Sequence, residues 1–268
     1  MIPKVIHYCW FGSNELSTEA KKCIASWKKM CPDYEVIEWN ENNYDVHKNQ
    51  YMSEAYDNKM WAFVSDYARL DIIYNRGGIY LDVDVEIIKP IDELLHYDCF
   101  MGFQDGKNIA TGLGFGAIKG HDTIKMLLDN LYFDNSFIKK DGSFNLTPCT
   151  ATTTAFFEHF GLRKNNQKQE LLNVTILPTD FFCPQSFVTG KLNITKNTYS
   201  IHHFDGSWLP IDEAYRISIR KKLCRFLPKS VSGKIAKSIT ILKFEGLKAL
   251  IKEIKKQMRH AFNIRNVN

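Results

Sequence analysis

The chain has 268 residues, of which 44% are hydrophobic and 24% are charged. This is the composition of an ordinary globular protein, long enough to bury a sizeable core, and it excludes a low-complexity or disordered chain. Seven cysteines occur without a C-x-x-C pair, which argues against a secreted disulfide scaffold and against a zinc site. The polar N-terminal sequence and the lack of a long apolar run lead us to expect no signal peptide and no membrane span.

The charge of the chain is unevenly distributed. The net charge of +5 divides into −7 over residues 1–212, with 20 Lys and Arg against 27 Asp and Glu, and +12 over residues 213–268, with 15 against 3. An acidic body followed by a strongly basic tail predicts that the tail meets an anionic surface. We therefore predict two parts, with their boundary near residue 212.

The first ninety residues alternate between strand and helix patterns. The predicted elements are a strand over 4–10, a helix over 17–30, a strand over 34–39, a helix over 53–75 and a strand over 77–86. Gly77 and Gly78 form the stop signal of the second helix. This order predicts an α/β fold with a mostly parallel sheet, in which ligands collect at the carboxyl ends of the strands.

Residues 77–86, GGIYLDVDVE, combine a strand pattern with three carboxylates. In a continuous strand the apolar side chains at alternate positions face one side, and Asp82, Asp84 and Glu86 face the other. Neighbouring carboxylates repel each other, and a divalent cation is the simplest partner that offsets them. The pattern therefore predicts a metal site at the end of this strand, with Glu86 at its periphery.

Two further features bear on the same edge of the sheet. Asp66 and Arg69 lie on the helix that leads directly into the acidic strand, although their spacing is also that of a solvated ion pair. Glycines alternate at positions 112, 114 and 116, which allows the backbone to approach a ligand closely. This segment lacks the spacing and the Lys-Ser/Thr ending of a P-loop.

Four motifs occur in an order that resembles a known family. They are WFG near the N-terminus, SDYAR on the second helix, GGIYLDVD on the third strand and a late DGSW. In this order they resemble the glycosyltransferases of family thirty-two, which carry a D-x-D motif in a sugar-binding region and include bacterial capsule and O-antigen transferases. The resemblance covers residues 2–210. It implies a GT-A-type α/β catalytic domain over residues 1–212, followed by a basic amphipathic helical tail over 213–268.

The resemblance implies a donor site at the edge of the sheet. Trp10 would stack on the nucleotide base, and Tyr80 would donate its hydroxyl to a diphosphate oxygen, with core packing as the alternative role of both. Asp66 and Arg69 would bind the donor through its hydroxyl and phosphate groups. Asp82 would contact the ribose or the donor sugar.

The resemblance also implies a Mn²⁺ or Mg²⁺ site, in which the ion stabilises negative charge on the diphosphate leaving group. The implied metal ligands are Asp82, Asp84, His203, Asp205 and Ser207. We favour His203 over His202 because a strand would point His202 the other way. Ser207 and Trp208 would also contact the donor, with Trp208 closing over the leaving group.

The expected reaction moves a hexose from a nucleoside-diphosphate sugar to a hydroxyl of a surface polysaccharide or lipid-linked oligosaccharide, with retention at the anomeric carbon. UDP-hexose is preferred as donor, and GDP-mannose is the second choice. In the tail, residues 247–262 have the pattern of a basic amphipathic helix, which either lies on a membrane surface or packs on the body. We expect a cytoplasmic protein on the inner face of the cytoplasmic membrane, without nucleic acid as a partner.

Two other functions are compatible with parts of the sequence. In a haloacid-dehalogenase-type phosphatase, the DVDVE segment would supply Asp82 as nucleophile and Asp84 as general acid, but that motif follows the first strand of its fold. The second alternative is a sugar-nucleotide-binding protein that has lost turnover. The motif residues Trp10, Asp66 and Arg69 are all present, which argues against such a loss.

Overall fold

The computed structural model describes residues 1–206 and 209–265, with side chains up to residue 256. The strands of this part are β1 (Val5–Cys9), β2 (Glu35–Trp39), β3 (Gly78–Tyr80), β4 (Val85–Ile87), β5 (Cys99–Phe103), β6 (Ile109–Ala110), β7 (Phe115–Ala117), β8 (Gln169–Leu171), β9 (Val174–Leu177) and β10 (Ser200–His202). The α-helices are α1 (Thr18–Met30), α2 (Gln50–Asp57), α3 (Trp61–Arg76), α4 (Asp122–Leu128), α5 (Cys149–His159), α6 (Thr179–Phe182), α7 (Ile211–Leu223), α8 (Lys229–Phe244) and α9 (Leu247–Arg265).

The central sheet has the order β2-β1-β3-β7-β5-β9-β8, with β6 paired to β5. β1 is parallel to both β2 and β3, and β5 is parallel to β9. β7 is antiparallel to both β3 and β5, so those two strands point in the same direction. The predicted mostly parallel sheet is confirmed, with β6, β7 and β8 running against the other five strands.

Helices cover both faces of this sheet. Ile79 of β3 lies in an apolar cluster that contains Trp27 of α1. Its neighbour Tyr80 lies in a second cluster that contains Leu70 of α3. Because successive side chains of a strand point to opposite faces, β3 is buried on both sides, as expected for a strand in the middle of an α/β sheet.

Local sequence signals set the ends of the first elements. The Ser17 hydroxyl accepts a hydrogen bond from the Ala20 N–H over 3.1 Å and caps α1, which begins one residue after the predicted start. Gly77 ends α3 with φ of 69°, a left-handed conformation that favours glycine. The single helix predicted over residues 53–75 is wrong, because α2 and α3 are separated by a turn in which Lys59 has φ of 59°.

The predicted continuous strand over residues 77–86 is also wrong. β3 ends at Tyr80, and a turn closed by a 3.1 Å hydrogen bond from the Val85 N–H to the Asp82 carbonyl separates it from β4. β4 leaves the central sheet and pairs antiparallel with β10. Both acids of the D-x-D motif therefore lie on a turn between two sheets, and not on one face of a strand.

The α1 helix holds the two-stranded β4–β10 ribbon in place. Trp27 Nε1 donates to the Val85 carbonyl over 2.6 Å, and the Ile87 N–H donates to the Ser26 hydroxyl over 3.0 Å. In the ribbon, His202 lies opposite Val85. This register fixes which residues of the late segment can reach the acids.

The chain forms two compact units, Met1–Gln185 with Leu192–Asp205, and Ser186–Lys191 with Gly206–Asn268. In the second unit, α7 and α8 form an antiparallel pair in which the Tyr215 and Phe244 rings are 5.6 Å apart. The helix pattern of residues 247–262 lies within α9. Among the described helices, we find none with the length and apolar character needed to cross a membrane.

Candidate active site

Asp82 lies two residues beyond the end of β3 and is held by two neighbouring side chains. Arg69 Nη2 lies 3.4 Å from Asp82 Oδ1, and the Tyr80 hydroxyl donates to the same oxygen over 3.1 Å. Asp66, one turn earlier on α3, has its Oδ1 3.1 Å from Arg69 Nη2. One buried guanidinium thus joins the two carboxylates that the resemblance places in the donor site.

The Arg69 side chain is only 4% exposed, and its N–H groups point at the protein. Nε donates to the Ser65 carbonyl over 3.0 Å, and Nη2 donates to the Ser65 hydroxyl over 3.1 Å. Nη1 faces Thr111 Oγ1 at 3.4 Å. A guanidinium engaged in this way is better suited to position Asp66 and Asp82 than to contact a donor phosphate.

Burial and the charge of Arg69 act in opposite directions on these acids. Burial raises the pKa of both Asp66 and Asp82, and Arg69 opposes that rise. Burial alone would lower the pKa of Arg69, but the charge of Asp82 raises it well above its usual value. Burial also raises the pKa of Tyr80 far above neutrality, so its hydroxyl keeps the proton that it donates to Asp82.

The segment after β6 forms the wall on the other side of Asp82. The Asp82 N–H donates to the Gly112 carbonyl over 3.0 Å. A Cβ atom at position 112 would lie 2.0 Å from Asp82 Oδ2 and 3.1 Å from Arg69 Nη1. The alternating glycines pointed to a close approach of the backbone, and at Gly112 the group approached is this carboxylate. Thr111 and Gly112 were not among the predicted site residues.

We expect Gly112→Ala to displace the Asp82 carboxylate, because the added methyl group overlaps Oδ2. Overpacking of this kind costs about 1–3 kcal/mol of unfolding free energy, and the shifted acid should also weaken nucleotide binding. Thermal unfolding measures the first effect and ligand titration the second. The matched control is Gly233→Ala in α8, where nothing lies within 4 Å of the new Cβ. Equal effects of the two substitutions would contradict the argument.

Asp84 forms a second pair with a histidine from β10. Asp84 Oδ1 lies 3.2 Å from His202 Nε2, and the side chains are 17% and 11% exposed. The Asp205 N–H donates to Asp84 Oδ2 over 2.9 Å. Asp82, Asp84 and His202 each offer a ligand atom, and these atoms lie within 4.8 Å of one another.

The pair between Asp84 and His202 shifts both pKa values. Burial alone would raise the pKa of Asp84, but the charge and hydrogen bond of His202 and the Asp205 N–H lower it to about 2. Burial alone would lower the pKa of His202, but the charge and hydrogen bond of Asp84 raise it to about 10. Asp84 is therefore ionised at neutral pH, in contrast to the upward shift of Asp82.

The two histidines are placed in the reverse of the predicted order. His202, and not His203, faces Asp84, because His202 is the last residue of β10 and lies opposite Val85. His203 Nε2 instead lies 2.9 Å from Glu86 Oε2, with both side chains about two-fifths exposed. Asp205, a predicted metal ligand, contacts Asp84 through its backbone N–H.

The remaining predicted residues lie at the ends of β1 and of the late segment. Trp10 directly follows β1, its side chain is partly exposed, and its Nε1 donates to the Asn14 carbonyl over 2.6 Å. Because β1 and β3 are parallel, Trp10 and Asp82 follow their strands at the same edge of the sheet. Ser207 and Trp208 lie outside the described residues.

The clustered residues fit a divalent cation. Ionised Asp84 and its neighbour Asp82 supply oxygen ligands, which suit Mg²⁺ and Mn²⁺. His202, whose Nε2 faces Asp84, can add a nitrogen ligand once a bound cation has displaced its proton, and a nitrogen ligand favours a transition-metal ion such as Mn²⁺ over Mg²⁺. Asp205 braces Asp84 through its backbone N–H, in the manner of an outer-shell hydrogen bond.

A comparison with protein families finds one match that includes several residues of this site. Residues 17–101 match the family described as glycosyltransferase sugar-binding region containing DXD motif. The matched region includes Asp66, Arg69, Asp82 and Asp84, but not His202, which pairs with Asp84. The resemblance to the DXD glycosyltransferases is thereby confirmed, and the match supports a role in glycosyl transfer.

Relatives with assigned names include inositol phosphoceramide mannosyltransferase 3 of Schizosaccharomyces pombe, which is 31% identical over 138 residues. That alignment covers 48% of this chain and 37% of the yeast protein. The uncharacterized glycosyltransferase L373 of Acanthamoeba polyphaga mimivirus is 25% identical over 235 residues, covering 85% of this chain and 92% of the viral protein. The chain therefore spans well under half of the yeast relative and nearly the whole of the viral one.

Two solved structures of glycosyltransferases show a distant similarity to this chain. The PaToxG glycosyltransferase matches with a TM-score of 0.39 and 22% identity, covering 48% of this chain and 58% of that protein. A glycosyltransferase involved in the glycosylation of the major capsid of PBCV-1 matches with a TM-score of 0.42 and 11% identity, covering 88% and 100%.

Proposed function

We propose that the protein is a metal-dependent, retaining glycosyltransferase that moves a hexose from a nucleoside-diphosphate sugar to a hydroxyl group. The observation that carries the proposal is the cluster of Asp82, Asp84 and His202 beside the buried Asp66–Arg69 pair. Asp84 is ionised at neutral pH and can hold a cation with His202, while Arg69 positions the Asp82 carboxylate to contact the sugar.

In the proposed site, Asp84 and His202 hold the divalent ion, with Asp82 at its edge. When bound, such an ion stabilises negative charge on the leaving diphosphate. Arg69 and Gly112 fix the Asp82 carboxylate, which contacts the donor sugar or ribose together with Asp66. Trp10, at the same edge of the sheet, provides an aromatic surface for the nucleotide base.

The reaction that we propose takes place on one face of the sugar. The bond from the anomeric carbon to the diphosphate oxygen breaks, and a bond to the acceptor oxygen forms on the same face. The acceptor proton passes to an oxygen of the departing diphosphate. The product is α-linked, and no enzyme carboxylate becomes bonded to the sugar.

The donor and acceptor are the finer part of the proposal. UDP-hexose is the preferred donor, and a mannose nucleotide such as GDP-mannose is the second, since the yeast relatives are named as mannosyltransferases. We propose as acceptor a surface polysaccharide, such as a capsule or O-antigen chain, or a lipid-linked oligosaccharide. The basic helices of the second unit would hold the protein at the inner face of the cytoplasmic membrane, where such an acceptor is assembled.

The proposed function is tested with sugar nucleotides, each with and without Mn²⁺. We expect a metal-dependent rise in melting temperature with one nucleotide base, because a ligand that binds only the folded state stabilises it by mass action. The preferred sugar nucleotide is then incubated with oligosaccharide acceptors, and the anomeric configuration of the product is read by NMR.

Four results would count against parts of this proposal. No shift with any sugar nucleotide would remove glycosyl transfer, and release of phosphate from a phosphorylated substrate would favour the phosphatase alternative. A shift without turnover would favour a sugar-nucleotide-binding protein. A covalent sugar adduct on a carboxylate would replace the one-face reaction by a two-step reaction.

A further inference from the structure

The connection between α7 and α8 exposes a large apolar side chain at a corner of the second unit. Phe226 is 86% exposed and Leu227 is 36% exposed. The corner is ordered by backbone hydrogen bonds, since the Phe226 and Leu227 N–H groups both donate to the Leu223 carbonyl, over 3.0 and 2.9 Å. Phe226 is therefore held outward by local structure.

The sequence around this corner carries only positive charge. Between residues 214 and 244 there are nine Lys and Arg and no Asp or Glu. Lys222, Arg225 and Lys229, which flank Phe226 in sequence, are exposed. An exposed phenylalanine among cations combines an apolar group that can enter a bilayer with charges that attract anionic headgroups.

The opposite end of α7 provides a contrast within the same unit. Ile211, the first residue of α7, is 81% exposed, about as much as Phe226. It is followed by Asp212 and Glu213, so an apolar group of similar exposure stands beside negative charge there. Phe226 and Ile211 are therefore similar in exposure and differ in the charge of the residues beside them.

We propose that the α7–α8 corner, residues 222–229, inserts Phe226 into the surface of an anionic phospholipid bilayer. The inference deepens the proposed membrane association, on which it rests, by naming the point of contact. It concerns the second unit alone and does not require that the first unit transfers sugars. The cations keep the corner at the headgroup level while the ring enters the acyl boundary.

The test is co-sedimentation of the full chain with vesicles of phosphatidylcholine, with and without phosphatidylglycerol. We expect binding only to the anionic vesicles. Phe226→Ser should weaken the vesicle partition about 10- to 100-fold, which corresponds to losing the burial of one phenylalanine. Arg225→Gln combined with Lys229→Gln should weaken it about 30-fold, since each cation contributes about a fivefold factor. Ile211→Ser is the matched control and should bind as the unmodified chain does.

A direct contact is read from an added tryptophan. In vesicles that contain brominated phospholipid, Phe226→Trp should show extra fluorescence quenching relative to the unmodified chain, and Ile211→Trp should not. Thermal unfolding and nucleotide binding of each variant check that the fold and the candidate active site are kept. These readouts separate failure of the corner from failure of the proposed glycosyl transfer.

Several outcomes would overturn the inference. The corner is excluded as the point of contact if Phe226→Ser binds anionic vesicles as strongly as the unmodified chain. It is also excluded if Ile211→Ser weakens vesicle binding as much as Phe226→Ser does. A soluble polyanion such as heparin provides a further check. If the chain binds it as tightly as it binds vesicles, and Phe226→Ser leaves that binding unchanged, the positive charges serve a different partner. If the full chain binds no vesicles, both membrane proposals fail while the sugar-nucleotide test still stands.

Discussion

Asp84→Asn is expected to abolish the metal-dependent binding of a nucleoside diphosphate and to lower transfer activity by about 10²–10³-fold or more. The substitution keeps the shape of the side chain and removes its charge. In the structure, the pKa of Asp84 is lowered to about 2, so Asp84 is ionised at neutral pH and available to a cation. Melting curves with and without Mn²⁺, followed by initial rates, measure both effects.

The chain offers a matched control two residues away. Glu86→Gln removes a carboxylate from the same segment, but Glu86 pairs with the partly exposed His203 and lies outside the three-residue cluster. We expect it to keep metal-dependent binding. The histidines form a second matched pair, in which His202→Gln should weaken Mn²⁺ binding and His203→Gln should not. If His203 proves to be the more sensitive residue, the cation site lies on the other side of β10.

The structural basis of this control was not visible in the sequence. Asp82, Asp84 and Glu86 share one parity, and a strand of period two places all three on one face. The structure breaks the strand after β3 and pairs β4 with β10, which follows more than a hundred residues later. Residues 77–86 therefore contain no local signal of the break, because the pairing that causes it involves a distant segment of the chain.

Which histidine meets Asp84 depended on the same distant pairing. Adjacent residues of a strand point in opposite directions, so the alternation predicts that only one of His202 and His203 faces the acids. It does not determine which one does, because that choice follows from the register of Val85 against His202. A shift of the register by one residue would exchange their roles.

The start of α1 and the end of α3 were predicted well, because local signals mark both. The Ser17 cap set the start of α1, and the glycine at position 77 set the end of α3. The Asp66–Arg69 spacing indicated a pair on one face of a helix, and the structure has that pair. What the spacing could not indicate is that Arg69 is buried and also meets Asp82, since this contact requires α3 to pack beside the end of β3.

Arg69→Met is expected to destabilise the protein by about 3–5 kcal/mol. The substitution leaves the buried Asp66 and the partly buried Asp82 without the guanidinium that offsets their negative charge. For a domain of this size such a loss lowers the melting temperature by about 6–20 °C. Methionine has a similar length and can fill part of the space, so the lost charge dominates the effect. The control is Arg76→Met on the same helix, where the guanidinium is exposed and lies 5.8 Å from the Trp39 ring. We expect it to cost about 0.5–1 kcal/mol.

The dependence on pH distinguishes a lost ion pair from lost packing. Burial already raises the pKa of Asp66 and Asp82 in the folded chain, and removing Arg69 raises both further. An acid whose pKa is higher in the folded than in the unfolded state destabilises the fold above its folded pKa, and the penalty falls as the pH drops towards the unfolded pKa. The stability difference between Arg69→Met and the unmodified chain, measured in EDTA, should therefore be largest at neutral pH and shrink in acid. A difference that stays constant with pH would mean that Arg69 acts through packing, and that its contact with Asp82 does not set the charge of the site.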